Sequence, residues 1–138
     1  LAAHFYRQAV EERNHAMMMV QYLLDSDESV RIPGVDDVVG EFGGVLQPIE
    51  LALKQERVVT QQIEALSRAA RDTGDYRGEQ FMQWFLKEQV EEVASMTTLL
   101  AIARRAGDNL FHLEDFVARE MAGDGANPTA PAAAGGTL

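Results

Sequence analysis

The stretch Glu11-Glu12-Arg13-Asn14-His15 holds a Glu-x-x-His pair, Glu12 with His15. Residues three apart on a helix are neighbours on one face, so this carboxylate and this imidazole can share one metal ion. The spacing alone is common. Its weight comes from two later stretches that also set glutamates where the hydrophobic pattern asks for core residues: Glu56 in one, and Glu88 with Glu91 or Glu92 in the next. An ionised carboxylate is costly to bury unless it is paired or bound to a cation. Arg13, Arg57 and Lys87 stand beside these glutamates in the chain, but one residue is about 100° round a helix, so none is aimed at them as an internal partner. Several carboxylates with one histidine suit two hard or borderline cations such as iron or manganese. The plainer reading is a set of solvent-facing glutamates.

The elements that must carry these residues are helices. Leu1 to about Asp25 shows a four/three alternation through Phe5, Ala9, Ala16, Met19 and Leu23, with Glu12 in the gap. Met17-Met18-Met19 reads as adaptable core filler. From Asp25 to about Gly44 the pattern stops, and Val30 to Val35 is short, extended and limited by Pro33. A connection of that length suits a crossover between helices running the same way. About Leu46 to Thr73 is a second helix, with Pro48 in its first turn and a stripe of Ile49, Leu53, Val59 or Thr60, Ile63, Leu66 and Ala70. Glu56 fills its gap. Gly74 suits the left-handed position after a helix end, and Asp75 can cap the next helix. About Tyr76 to Ala106 is the third, with Phe81, Trp84 or Phe85, Ser95, Leu99 and Ile102 on its stripe. Asn109 to about Met121 is a short fourth helix, with Leu110, Leu113, Phe116 and Val117 on one side and His112 as a surface or packing histidine. The expected fold is all-α: a helical domain over 1–121 and a low-complexity tail over 122–138 whose Gly, Ala, Pro and Thr content predicts disorder. The chain opens on Leu1, already in helical phase and without a capping residue, which predicts at least one element upstream.

Composition narrows the function. The chain of 138 residues is long enough for one domain, and its net charge of −10 disfavours phosphate backbones, so nucleic acid is not an expected partner. There is no cysteine. That excludes disulfides and thiolate sites, and leaves carboxylate, imidazole and amide ligands for any metal. No apolar run is long enough to span a bilayer and no signal-peptide pattern is present, so the expected compartment is the cytoplasm, with no membrane partner.

Together these residues resemble a known family. Glu11-Glu12-Arg13-Asn14-His15-Ala16 looks like the second-helix motif of ferritins. Glu56, thirty-two residues before Glu88, and the run Asp75-Tyr76, Phe81, Gln83-Trp84 and Glu88-Gln89-Val90-Glu91-Glu92 are similar to prokaryotic non-haem ferritins. With Val30-Arg31-Ile32-Pro33-Gly34-Val35 and the Ala/Gly-rich tail, the pattern is of the actinobacterial type. The resemblance covers residues 1–121. It implies a ferritin-like four-helix bundle with a long crossover loop and a short C-terminal helix, here without the family's first helix and the further glutamate ligand and tyrosine it carries.

The resemblance also implies roles. Glu12 bridges two irons, His15 binds the first, Glu56 and Glu92 bind the second, and Gln89 lies close by. Glu11, Glu88 and Glu91, with Glu92, correspond to a third iron site. Trp84 corresponds to an aromatic near this centre, although core packing is its plainer role. Glu88-x-x-Glu91 stands where bacterioferritins have a second Glu-x-x-His, so no haem is expected. The implied activity is ferroxidase: Fe(II) is oxidised by oxygen or peroxide and stored as ferric mineral inside a homo-oligomeric cage. The alternative is a non-catalytic, structural or vestigial ferritin fragment with an incomplete centre.

Overall fold

The computed structural model describes residues 1–121, 123 and 127–138. Four helices follow one another: α1 (Ala2–Asp25), α2 (Leu46–Thr73), α3 (Tyr76–Ala106) and α4 (Leu110–Glu120). Among the described residues there is no strand, so the all-α expectation holds. None of these helices is long and apolar enough to cross a membrane. The chain divides into two compact units, Leu1–Val38 with Glu114–Leu138, and Val39–Leu113.

The second unit is built on the α2–α3 hairpin. Its tight reversal follows from local chemistry. Gly74 adopts φ +74°, and the Asp75 and Gly74 amides donate to the Ala70 and Arg71 carbonyls at 2.8 and 3.1 Å. This is a Schellman closure, in which a left-handed glycine satisfies the last carbonyls of the helix. Asp75 then accepts from the Gly78 amide at 3.0 Å as the cap of α3. A Cβ at position 78 would collide with that carboxylate, so glycine belongs there.

Ile49, Leu53 and Ile63 of α2 and Phe85, Met96, Leu99, Leu100 and Ala103 of α3 are buried. Two exposed ion pairs clasp the hairpin, Arg71–Glu79 at 2.6 Å near the turn and Arg104–Glu50 at 2.8 Å at the open end. Each adds at most about 1 kcal/mol, so burial of apolar surface holds the hairpin together. The α2 stripe differs from the sequence expectation at its end: Ser67 is buried and Leu66 exposed. A stripe stepping by four from Ile63 arrives at 67, and apolarity alone favoured the wrong neighbour.

In the first unit, α1 ends at Ser26 with the same closure as α2. Here it is Asp27 that takes the left-handed conformation, at φ +59°, while the Glu28 amide donates to the Leu23 carbonyl at 2.9 Å. The buried residues of α1 are His4, His15 and Met18, with Gln8, Glu11 and Tyr22 half-buried between and after them. This corrects the expected stripe. Ala9, Ala16 and Leu23 are exposed and Phe5 and Met19 only half-buried. The true stripe has the same four/three rhythm one residue earlier. It was hidden because four of its members, His4, Gln8, Glu11 and His15, are polar.

Residues 28–42 have no regular structure and 127–138 form turns and irregular chain. The tail runs along α1: the Ala134 amide donates to the Met17 carbonyl at 3.0 Å and the Leu138 amide to Asn14 Oδ1 at 3.2 Å. Residues 122 and 124–126, which belong to the stretch expected to be disordered, lie outside the described residues. His112 is exposed, and on α4 Leu113 and Val117 are buried while Phe111 faces solvent.

Candidate metal centre

Each unit presents its own group of ligand-type side chains. On α1, Glu12 and His15 face one another at i and i+3, with His15 Nδ1 3.6 Å from Glu12 Oε2. His15 is buried, but the Glu12 side chain is 45% exposed. The core slot expected for Glu12 belongs instead to Glu11, which is half-buried and accepts from Gln8 Nε2 at 2.8 Å. The one-residue correction of the stripe therefore turns Glu11 inward and leaves Glu12 at its edge.

On the α2–α3 hairpin the ligand types are deeper. Glu88, Gln89 and Glu92 are 7%, 5% and 7% exposed, although all three are polar. Burial at that level demands hydrogen bonds or countercharge. Glu56 is half-buried on α2 and meets α3 through Gln89, whose Nε2 lies 3.4 Å from Glu56 Oε2. Thr60 stands beside both. Its Oγ1 is 2.7 Å from Gln89 Oε1 and 2.8 Å from the Glu56 carbonyl.

Of Glu91 and Glu92, it is Glu92 that occupies the core slot. Glu92 is buried, whereas Glu91 is exposed and pairs with Lys87 at 3.5 Å. A seven-residue step from Phe85 along the buried face lands on Glu92 and leaves Glu91 about 100° away. One turn before Glu88, Trp84 packs edge-to-face on Phe85 with ring centroids 4.9 Å apart, and Phe81 packs on Phe85 at 5.2 Å. Trp84 is thus part of the hydrophobic packing on which the polar face of α3 begins.

Two further residues stand out in the structure. By sequence Thr60 is only an alternative stripe position, yet its spacing of four from Glu56 is a usable signal. His4 is 5% exposed, and its Nε2 has no hydrogen-bond partner among the described residues. Burial, then the charge of Arg7 and of the Leu1 amino group, holds its imidazole below the ordinary value.

The sequence pattern of the ferritin family, described as a ferritin-like domain, matches residues 1–106. The chain belongs to the ferritin family. It is 68% identical over all of its 138 residues to the ferritin BfrB of Mycolicibacterium smegmatis, covering 76% of that relative. To the ferritin BfrB of Mycobacterium tuberculosis strain Erdman it is 62% identical over the same span, again 76% of the relative. Among solved structures, the Chlorobium tepidum ferritin superposes with a TM-score of 0.74 at 30% identity, over 86% of this chain and 75% of that one. Ferritin membership brings iron binding and iron storage with it.

Proposed function

We propose that this ferritin chain oxidises Fe(II) to Fe(III) at a carboxylate and histidine di-iron centre, and stores the product as mineral inside a multi-subunit cage in the cytoplasm. Iron is both substrate and cargo. The proposed ligands are Glu12 and His15 from α1, and Glu56 and Glu92 from the hairpin, with Gln89 beside them. Glu11, Glu88 and Glu91, with Glu92, are the proposed third iron site. The observation that carries this reading is the face of the hairpin where Glu56, Gln89 and Glu92 stand in a ferritin sequence, the last two buried. Hard oxygen donors suit both ferrous and ferric iron, and carboxylates change between one-oxygen and two-oxygen binding with little cost. Two Fe(II) ions release one electron each, and oxygen or peroxide accepts the pair.

The test is oxygen consumption after addition of Fe(II) to the purified protein. The expected result is a fast phase that disappears in Glu12→Ala and in Glu56→Ala. Unchanged fast oxidation in both variants would overturn the named centre.

One observation favours a second reading, a structural chain without a complete centre: Glu12 is 45% exposed, and an exposed carboxylate competes poorly with water for a cation. Size-exclusion chromatography separates the two, because a cage elutes at hundreds of kilodaltons. A small species without Fe(II) oxidation would establish the structural reading.

A further inference from the structure

Thr60 occupies an unusual position for a residue with no ligand chemistry of its own in this setting. Its hydroxyl touches two oxygens, Gln89 Oε1 at 2.7 Å and the Glu56 carbonyl at 2.8 Å, and it has one proton to give. In the observed arrangement, Gln89 turns its Nε2 toward Glu56 Oε2 at 3.4 Å. With the Thr60 proton on Gln89 Oε1, the Thr60–Gln89 and Gln89–Glu56 side-chain contacts each pair a donor with an acceptor, while the Glu56 carbonyl receives no proton from Thr60. In that orientation Gln89 is a hydrogen-bond donor to Glu56. An amide nitrogen is no ligand for iron, so Gln89 serves iron only if the amide turns over.

We propose that Thr60 is a positioning residue that supports the Gln89 amide in both orientations, as a hydrogen-bond donor to the Glu56 carboxylate and as an oxygen donor to a cation held there. The hydroxyl is what makes this workable. When the amide turns, Thr60 gives its proton to the Glu56 carbonyl and accepts from Gln89 Nε2 through its lone pair. Gln89 Oε1 then faces Glu56 Oε2. Two acceptors converging on one point repel each other unless a cation lies between them, so the turned state is stable only with metal. Thr60 thereby couples the direction of the amide to occupancy by iron. A side chain of the same shape without a hydroxyl supports neither orientation. The inference rests on the ferroxidase reading above and deepens it.

The experiment titrates the full chain with Co(II), followed by its visible absorption, which reports ligand number as well as affinity. Helix content by circular dichroism controls for folding. Thr60→Val is expected to weaken binding about 10- to 100-fold, the usual cost of losing a partner that orients a metal ligand. Thr60→Ser, which keeps the hydroxyl, is expected to restore the parent's affinity and spectrum. In Gln89→Ala, the added Thr60→Val change is expected to cost nothing further, because Thr60 acts through the amide. Parent-like binding by Thr60→Val, failure of Thr60→Ser to rescue, or additive losses in the double variant each overturn the proposal. Glu56→Ala keeps the two readings apart. If it binds Co(II) like the parent, the ferroxidase reading fails and takes this one with it. If Glu56→Ala loses the site while Thr60→Val does not, only the role of Thr60 fails.

Discussion

Gln89 Nε2 reaches Glu56 Oε2 across the α2–α3 hairpin at 3.4 Å, joining residues 33 positions apart in the chain. The distance is at the long limit for a hydrogen bond, so the contact orients both side chains more than it stabilises the fold. Gln89→Leu keeps the bulk and removes the amide. It is expected to slow Fe(II) oxidation about 10- to 100-fold while leaving the hairpin folded. Stopped-flow absorbance of ferric iron, paired with circular dichroism, checks both halves of that statement.

The two Schellman closures make opposite predictions. Gly74 sits at φ +74° and Asp27 at φ +59° in equivalent positions after α2 and α1. A side chain in the left-handed region costs about 1 kcal/mol relative to glycine. Gly74→Ala should therefore lower stability by about 1 kcal/mol. Asp27→Gly should raise it by up to about 1 kcal/mol, offset in part because Asp tolerates this conformation better than most residues. Urea unfolding midpoints of the two variants should move in opposite directions from the parent.

Leu99 and Leu66 are the same residue type in different roles. Leu99 is fully buried and Leu66 is 48% exposed. Leu99→Ala should cost about 2–5 kcal/mol, the transfer term plus the cavity it leaves. Leu66→Ala should cost well under half of that. Equal losses would show that the stripe of α2 had been placed wrongly.

Acid should destabilise the protein partly through His4. Burial first, then Arg7 and the Leu1 amino group, lowers its folded-state pKa. The unfolded chain, with a value near 6.5, then binds more protons than the folded one as the pH falls below that. The stabilising contribution is complete above about pH 6.5 and is lost as the pH drops through the lowered folded value. His4→Gln should show a shallower decline in unfolding midpoint between pH 7.5 and pH 5 than the parent, measured in matched buffers.

The sequence by itself determined the helices, their ends and the kinds of ligand available. Gly74 and Asp75 marked the hairpin turn because only a few residue types meet those backbone demands, and local demands are legible locally. The glutamates of α2 and α3 stood out because charge in an apolar stripe is anomalous wherever the helix lies. What the sequence did not resolve were matters of about 100° of rotation: its pattern put Glu12 and Leu66 inward where the structure has Glu11 and Ser67, and it left Glu91 and Glu92 as alternatives on α3. A rotation of one residue changes which side chains are buried without changing the helical rhythm. When the buried stripe is itself polar, as with His4, Gln8, Glu11 and His15, hydrophobicity cannot find its phase. Tertiary structure decided it on the hairpin. In the folded chain Glu92 is buried and Glu91 exposed, and packing of α2 on α3 brought Thr60 and Gln89 within 2.7 Å of each other. No pattern within either helix contains that contact, since it exists only once the two helices are side by side.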